Sequence, residues 1–138
     1  RINENIPLFV ANKIVKLLIK NNKLIKDTKI CIFGATYKEN VPDLRESKVE
    51  ELIYELKDFG IENITLIEPL IDKDEIFGVK NIKKQGKKYD VIVYAVNHKE
   101  FENINILDYL NYEGILIDIK RKFNKNEVEK NRSIYWGL

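Results

Sequence analysis

Residues 30–47, ICIFGATYKENVPDLRES, constrain this chain more than any other stretch. The run Ile30-Cys31-Ile32-Phe33 is continuously apolar, the composition of a strand buried on both faces. Gly34 ends it, and a polar loop carrying Lys38 and Arg45 follows. Ser47, with Glu50 three residues later, reads as a capping box that opens a helix. Val49, Leu52, Ile53, Leu56 and Phe59 then recur at helical spacing and give that helix one apolar face. Strand, glycine, cationic loop and helix start together place positive charge and free backbone N–H groups at the carboxyl end of a strand. In open α/β sheets ligands bind there, and phosphates suit the position best.

Taken in order, residues 5–22 read as a long helix, with Ile6, Val10, Ile14 and Leu17 or Leu18 at steps of three and four. Pro7 is tolerated because it falls in the first turn. Leu8, Phe9, Val15 and Ile19 widen the apolar arc. The plain reading is that the helix packs on the sheet, the sharper one that part of its surface meets a missing domain or another subunit, and the two are compatible. Gly60 supplies the stop after the second helix, residues 63–67 form the second strand, and Glu68-Pro69 closes it. Residues 71–77 are expected as a short helix, 79–82 as a short strand and 85–88 as a loop. Residues 90–96 form a clear strand with His98 at its carboxyl end. A helical turn is expected at 106–110, a buried strand at 114–118 ending in Lys120-Arg121-Lys122, and a last edge strand at 133–136. This alternation predicts an α/β fold, a three-layer arrangement around a mostly parallel sheet with right-handed crossovers. Its strands deliver Lys38, Glu68, His98 and Lys120 to one rim.

Composition narrows the function. With 44% hydrophobic and 33% charged residues, the chain is globular and not disordered. Its 24 basic and 22 acidic residues are interspersed, and the net charge of +2 includes no basic block of the kind that binds nucleic acid. No apolar run approaches the roughly 20 residues that span a bilayer. The single cysteine, Cys31, excludes a disulfide framework, and the cytoplasm is the expected compartment. The first residue is not Met and the chain opens on helical sequence, as a piece of a longer protein would.

The dinucleotide fingerprint needs G-x-G-x-x-G, and Gly34-Ala35-Thr36-Tyr37-Lys38-Glu39 offers one glycine; a G-x-x-x-x-G-K-[ST] phosphate loop is absent as well. The loop is therefore not expected to hold NAD or ATP in the usual manner. Anion contact through Lys38, Arg45 and helix N–H groups stays open against the plainer reading of two solvated cations. Glu68 at the end of a second parallel strand stands where dinucleotide folds hold a ribose, though many strands end so. Cys31 reads as a buried, inert thiol. His98 has no partner visible in sequence and is expected to pack or to make a structural hydrogen bond. Neither a serine–histidine–acid arrangement nor metal-ligand spacing is present, so no catalytic residue and no metal ligand are assigned.

The wording of the central stretch is more specific than its physics. Gly34-x-Thr36-Tyr37-Lys38-Glu39-Asn40-x-Pro42-Asp43-Leu44-Arg45-x-Ser47-Lys48-Val49 resembles the C-terminal, UDP-binding domain of the UDP-glucose/GDP-mannose dehydrogenase family. The flavour is that of the UDP-N-acetylglucosamine and UDP-N-acetylgalactosamine 6-dehydrogenases of capsule and surface-polysaccharide biosynthesis. Arg1-Ile2-Asn3-Glu4, Glu68-Pro69, Tyr89-Asp90, Ala95-Val96-x-His98-Lys99-Glu100-Phe101 and Asp118-x-Lys120 support it along the whole chain.

The resemblance implies a Rossmann-like domain (residues 25–138) preceded by the end of a connecting helix (residues 1–24) from a missing central domain. It implies that NAD is bound mainly by an absent N-terminal domain, and that the catalytic cysteine and lysine and the homodimer contacts lie in the central one. The reaction implied for the whole enzyme is two NAD-linked oxidations of the sugar C6 hydroxyl to a carboxylate, through a cysteine-bound intermediate. Carried over by position, Tyr37 and Lys38 contact the UDP-sugar, Lys120 and Arg121 lie near the uridine diphosphate, and Arg45 reaches toward the NAD phosphates. Arg1 and Asn3 match the family's helix without a firm role. Ala35 stands where a bulkier aliphatic is usual, Tyr37 for the commoner Phe, and Glu4 where Asp is frequent. Cys31 does not match the catalytic cysteine, so this chain alone is expected to be inactive. The rival readings are a stand-alone nucleotide-binding or regulatory α/β module without catalytic activity, and a structural dimerisation unit built on the first helix.

Overall fold

In the computed structural model, which describes residues 5–83 and 87–138, the apolar run after Lys29 becomes the central strand of a seven-stranded sheet. The strands are β1 (Lys29–Phe33), β2 (Asn63–Ile67), β3 (Glu75–Ile76), β4 (Val79–Asn81), β5 (Tyr89–Tyr94), β6 (Leu110–Asp118) and β7 (Ile134–Gly137). Their spatial order is β3-β4-β2-β1-β5-β6-β7, and every pairing is parallel except β3 with β4. Strand alternation splits the core into two. Ile30 and Ile32 face a layer made by helices α1 (Ile6–Lys20) and α2 (Lys48–Asp58). Cys31 and Phe33 face the other layer, built from short 3-10 turns and α3 (Lys125–Lys130). This is the expected three-layer, mostly parallel Rossmann-like arrangement. Among the described residues no helix is long and apolar enough to cross a membrane.

The first helix belongs to the core: Ala11, Ile14 and Leu18 are fully buried, while Phe9 and Ile19 stay exposed. Asn5 caps it by accepting the Leu8 N–H at 3.2 Å, and Pro7 lies in its first turn, where its missing donor costs nothing. The second helix stops at Gly60 as expected. Its φ of +100°, with Ile61 N–H bonded to the Leu56 carbonyl and Gly60 N–H to that of Lys57, makes a Schellman end.

Four expectations need correction. Residues 71–77 form no helix: the carbonyls of Ile71 and Lys73 accept from the side-chain amide of buried Asn81, and a hairpin follows. Its two-residue turn, Phe77 (φ 54°) and Gly78 (φ 78°), has both φ positive, which suits the twist of β3 and β4. The capping box at Ser47 is one-sided. Ser47 Oγ accepts the Val49 N–H at 3.1 Å, but the Ser47 N–H goes to the Leu44 carbonyl and not to Glu50. The strand at 90–96 ends at Tyr94, because the Ala95 and Val96 N–H groups both turn onto the Phe33 carbonyl. The strand expected at 114–118 begins earlier, at Leu110. Helix α3 has no counterpart in the periodicity, since Val128 is its only buried residue. Part of the loop expected at 85–88 and all of Arg1, Ile2, Asn3 and Glu4 lie outside the described residues.

The carboxyl rim is organised around Glu68, which is 2% exposed. Its Oε1 accepts the Ala35 N–H at 2.7 Å, the Thr36 N–H at 3.2 Å and His98 Nε2 at 2.9 Å; its Oε2 accepts the Leu70 N–H at 2.9 Å. His98 is fully buried, and its Nδ1 accepts the Asn40 N–H at 3.0 Å, which leaves Nε2 as the protonated nitrogen facing Glu68. Gly34 (φ +94°) lets the first strand's end approach the fifth: a Cβ there would lie 2.5 Å from Val96 Cβ. Burial alone raises the Glu68 carboxyl, but the hydrogen bonds from His98, Ala35 and Leu70 outweigh it and hold the group below its ordinary range.

Two outcomes follow for urea unfolding. Glu68→Gln orphans backbone donors in the core and costs about 3 kcal/mol at neutral pH. Because the folded carboxyl is depressed, its contribution is complete above the ordinary value of 4.5 and is lost as pH falls through the lower folded value. The gap between the two proteins therefore narrows as pH falls below the ordinary value of 4.5; a constant gap would exclude the ionised Glu68. Gly34→Ala combines a left-handed φ with a clash and costs about 3 kcal/mol, whereas Gly60→Ala, with open space around it, costs about 1 kcal/mol. Equal unfolding midpoints for the two would remove the close-approach argument.

Candidate functional site

Across the carboxyl ends of β1, β5 and β6 lies a cleft of about 310 Å³. Each wall follows from an element's position. The loop after β1 supplies Thr36 and Tyr37, and the turn after β6 supplies Ile119 and Lys120. Helix α2 brings Lys48 from its first turn, and α1 brings Ile6 and Pro7 from its own. Two helix N-termini and two lysines therefore border one apolar hollow. That combination attracts an anion by dipole and charge while offering Val10, Val96 and Leu52 to a flat apolar group. Lys48 pairs with Glu51 at 3.6 Å, and both side chains are exposed.

The loop carrying Tyr37 is closed by its own hydrogen bonds. Tyr37 N–H donates to the Asp43 carbonyl at 2.7 Å, and Thr36 Oγ1 donates to the Lys38 carbonyl at 2.9 Å. Ser47 Oγ donates to the Ala35 carbonyl at 2.6 Å, tying the start of α2 to the same loop. Beside it, a second hollow of about 350 Å³ is lined by Tyr37, Asp43, Arg45 and Glu46. Arg45 is 88% exposed and gripped bidentately by Asp43, with Nε to Oδ1 and Nη2 to Oδ2 both at 3.0 Å. This pairing lowers the Asp43 carboxyl, chiefly through the side-chain hydrogen bond, and raises the guanidinium.

The expected site residues divide accordingly. Tyr37 and Lys120 line the same cleft. Lys38 is exposed on that rim, one residue beyond Tyr37, and is not part of the cleft wall. Arg45 faces the neighbouring hollow on the far side of Tyr37. Arg121 lies next to Lys120 and is not itself part of the cleft wall, but its Nε donates to the carbonyl of Leu138, which is. Cys31 is fully buried, and burial pushes its thiol well above the ordinary range, the inert state expected of it. His98 makes the structural hydrogen bonds foreseen for it. Glu68 is turned inward onto Ala35 and Thr36, so it does not offer a ribose its carboxylate. Lys48 is the cleft cation that sequence reasoning passed over, although its place directly after an N-cap at a strand–loop–helix junction was visible.

Comparison with known proteins agrees with this geometry. A family model described as UDP-glucose/GDP-mannose dehydrogenase family, UDP binding domain, matches residues 31–125. Protein CapL of Staphylococcus aureus is 37% identical over 145 residues, covering 100% of this chain and 34% of the relative. A UDP-N-acetyl-D-glucosamine 6-dehydrogenase of Pseudomonas aeruginosa is 30% identical, covering 94% and 32%. An NDP-N-acetyl-D-galactosaminuronic acid dehydrogenase from Methanosarcina mazei Go1 shares the fold with a TM-score of 0.83 at 17% identity, covering 99% of this chain and 30% of that one. The chain thus spans about a third of the length of the curated relatives it matches. With the strand–loop–helix motif, the parallel sheet and the matched segment in agreement, the chain belongs to the UDP-glucose/GDP-mannose dehydrogenase family and carries its UDP binding domain.

Proposed function

We propose that this chain is the nucleotide-gripping domain of an NAD-dependent UDP-sugar 6-dehydrogenase, which oxidises the sugar C6 hydroxyl to a carboxylate for capsule or surface-polysaccharide synthesis. The observation that carries the reading is the shared cleft of Tyr37 and Lys120 between two helix starts. In this reading Lys120 and Lys48 meet the diphosphate, Tyr37 lies against the nucleotide-sugar, and Lys38 and Arg121 add charge at the rim. The enzyme is anchored to its substrate by the remote end, and that binding energy orients the reacting carbon elsewhere. Residues 1–24 then close the connecting helix from a central domain, and 25–138 form the UDP-sugar domain of a cytoplasmic homodimer. The reacting residues lie in the parent's other domains, so this chain alone is inactive.

NAD fits this domain only at its margin. The Ala35 and Thr36 N–H groups, which a dinucleotide loop would turn onto a pyrophosphate, are taken by Glu68. Arg45 is exposed and already oriented by Asp43, which suits one contact to a phosphate held by another domain; bound NAD would accept the hydride.

Calorimetry on the full-length enzyme tests both parts. Lys120→Ala weakens UDP about tenfold to a hundredfold, as loss of a charge-assisted contact does, and Lys38→Ala weakens it less steeply. Lys87→Ala, exposed and remote from the cleft wall, leaves UDP binding unchanged. Equal effects of Lys120→Ala and Lys87→Ala would overturn the reading. Arg45→Ala raises KM for NAD while the Kd for UDP holds; a weakened UDP complex with normal NAD kinetics would reassign Arg45 to the substrate.

A further inference from the structure

Both loops that face the cleft hang on a buried carboxylate. Beneath the first, Glu68 and His98 hold the backbone N–H groups of Ala35, Thr36 and Asn40, bracketing Tyr37 and Lys38. Asn40 also accepts the Lys99 N–H through Oδ1 at 3.0 Å, so the loop is tied to the segment after β5. Beneath the second, Asp118 is fully buried at the end of β6. Its Oδ1 accepts the Lys122 N–H at 3.0 Å, and its Oδ2 accepts the Phe123 N–H and the Tyr135 hydroxyl, both at 2.8 Å. Lys120 sits inside the turn so closed, next to Arg121 with its left-handed φ of 56°. Burial and then the Asp118 hydrogen bond push the Tyr135 phenol up to about 12, so it stays a donor at ordinary pH. Neither carboxylate lines the cleft.

We propose that Glu68 and Asp118 are positioning residues for nucleotide binding: each presets one cleft loop, so that Tyr37 and Lys120 face a common hollow before any ligand arrives. The inference rests on the UDP-binding reading above. The physical ground is the cost of ordering. A polar surface loop with no internal anchor loses conformational freedom when a ligand fixes it, and that loss is subtracted from affinity. Here both loops are already held through backbone hydrogen bonds that lie wholly or partly out of water. A carboxyl group that accepts from three or four donors, as these two do, fixes direction as well as distance, because each donor must point at it. The arrangement repeats at the ends of β2 and β6, strands separated in the sheet by β1 and β5, with different residue types and no shared partner, so it is a feature of the rim and not of one loop.

The test uses the full-length enzyme with UDP as the calorimetric probe, below the unfolding temperature of every variant. Glu68→Gln and Asp118→Asn are expected to weaken UDP about tenfold to a hundredfold, and to raise KM for the UDP-sugar while kcat falls by less than about threefold. Val128→Ala, which empties part of the layer on the sheet's far face, supplies a destabilised control and keeps wild-type affinity. Should the carboxylate variants not fold, Tyr135→Phe and Asn40→Gly remove one hydrogen bond each and carry the same expectation at about threefold. Wild-type UDP affinity in the folded variants, with Lys120→Ala still weakened, overturns this inference and leaves the UDP-binding reading in place. Equal weakening in Val128→Ala overturns it too, because the effect would then be stability alone. Failure of the unaltered enzyme to bind UDP overturns both.

Discussion

A carboxylate taken out of water has to be met by donors, and Glu68, 2% exposed, is met by three backbone N–H groups and one imidazole. Those donors come from the loop after β1, the turn after β2 and the segment after β5, three neighbouring strands of the sheet. One anion thereby sets the relative height of three strand ends. His98 extends the control by accepting the Asn40 N–H on its other nitrogen, and Asn81 holds the Glu68 backbone from the opposite side through both its N–H and its carbonyl. The ends of three strands are thus tied to one another through buried polar groups.

This arrangement also explains why the domain keeps the layout of a dinucleotide fold without that fold's ligand geometry. Where a glycine-rich turn would aim successive N–H groups at a pyrophosphate, two N–H groups here aim at the protein's own carboxylate. The anion position next to β1 is filled from within. The open cleft lies instead toward β5 and β6, where Lys48 and Lys120 supply the charge. The missing second and third glycines of the fingerprint and the inward turn of Glu68 are two sides of one fact. With the phosphate position occupied by a side chain, the loop backbone has no ligand to approach closely.

The core was the legible part. Ile30 to Phe33 form the central strand because a four-residue apolar run flanked by polar residues has no other place to bury both faces. The end of α2 was equally plain, since only glycine adopts φ +100° at little cost after a helix. Elsewhere local pattern lost to tertiary partners. Residues 71–77 carry helix-compatible spacing, but Asn81 takes the carbonyls that a helix needs for its own ladder. The α3 segment buries Val128 alone, too little apolar surface to leave a period.

The candidate site was legible in identity and not in direction. Residue types and spacing established that cations follow β1 and β6 and that a capped helix begins beside the first, and the wording of residues 34–49 carried the resemblance to the family that the matched model shows. Those properties are carried by short segments, so reading along the chain reveals them. Which way a strand-end side chain points depends on what lies across the sheet, and no local pattern encodes that. Only the fold turned Glu68, His98 and Asp118 inward as anchors, brought Lys48 into the cleft and set Arg121 against the Leu138 carbonyl at its wall. The physical reason is that hydrogen bonds made 30 or more positions apart, such as His98 to Glu68 and Asn40 to His98, form only when separate strands have been laid side by side.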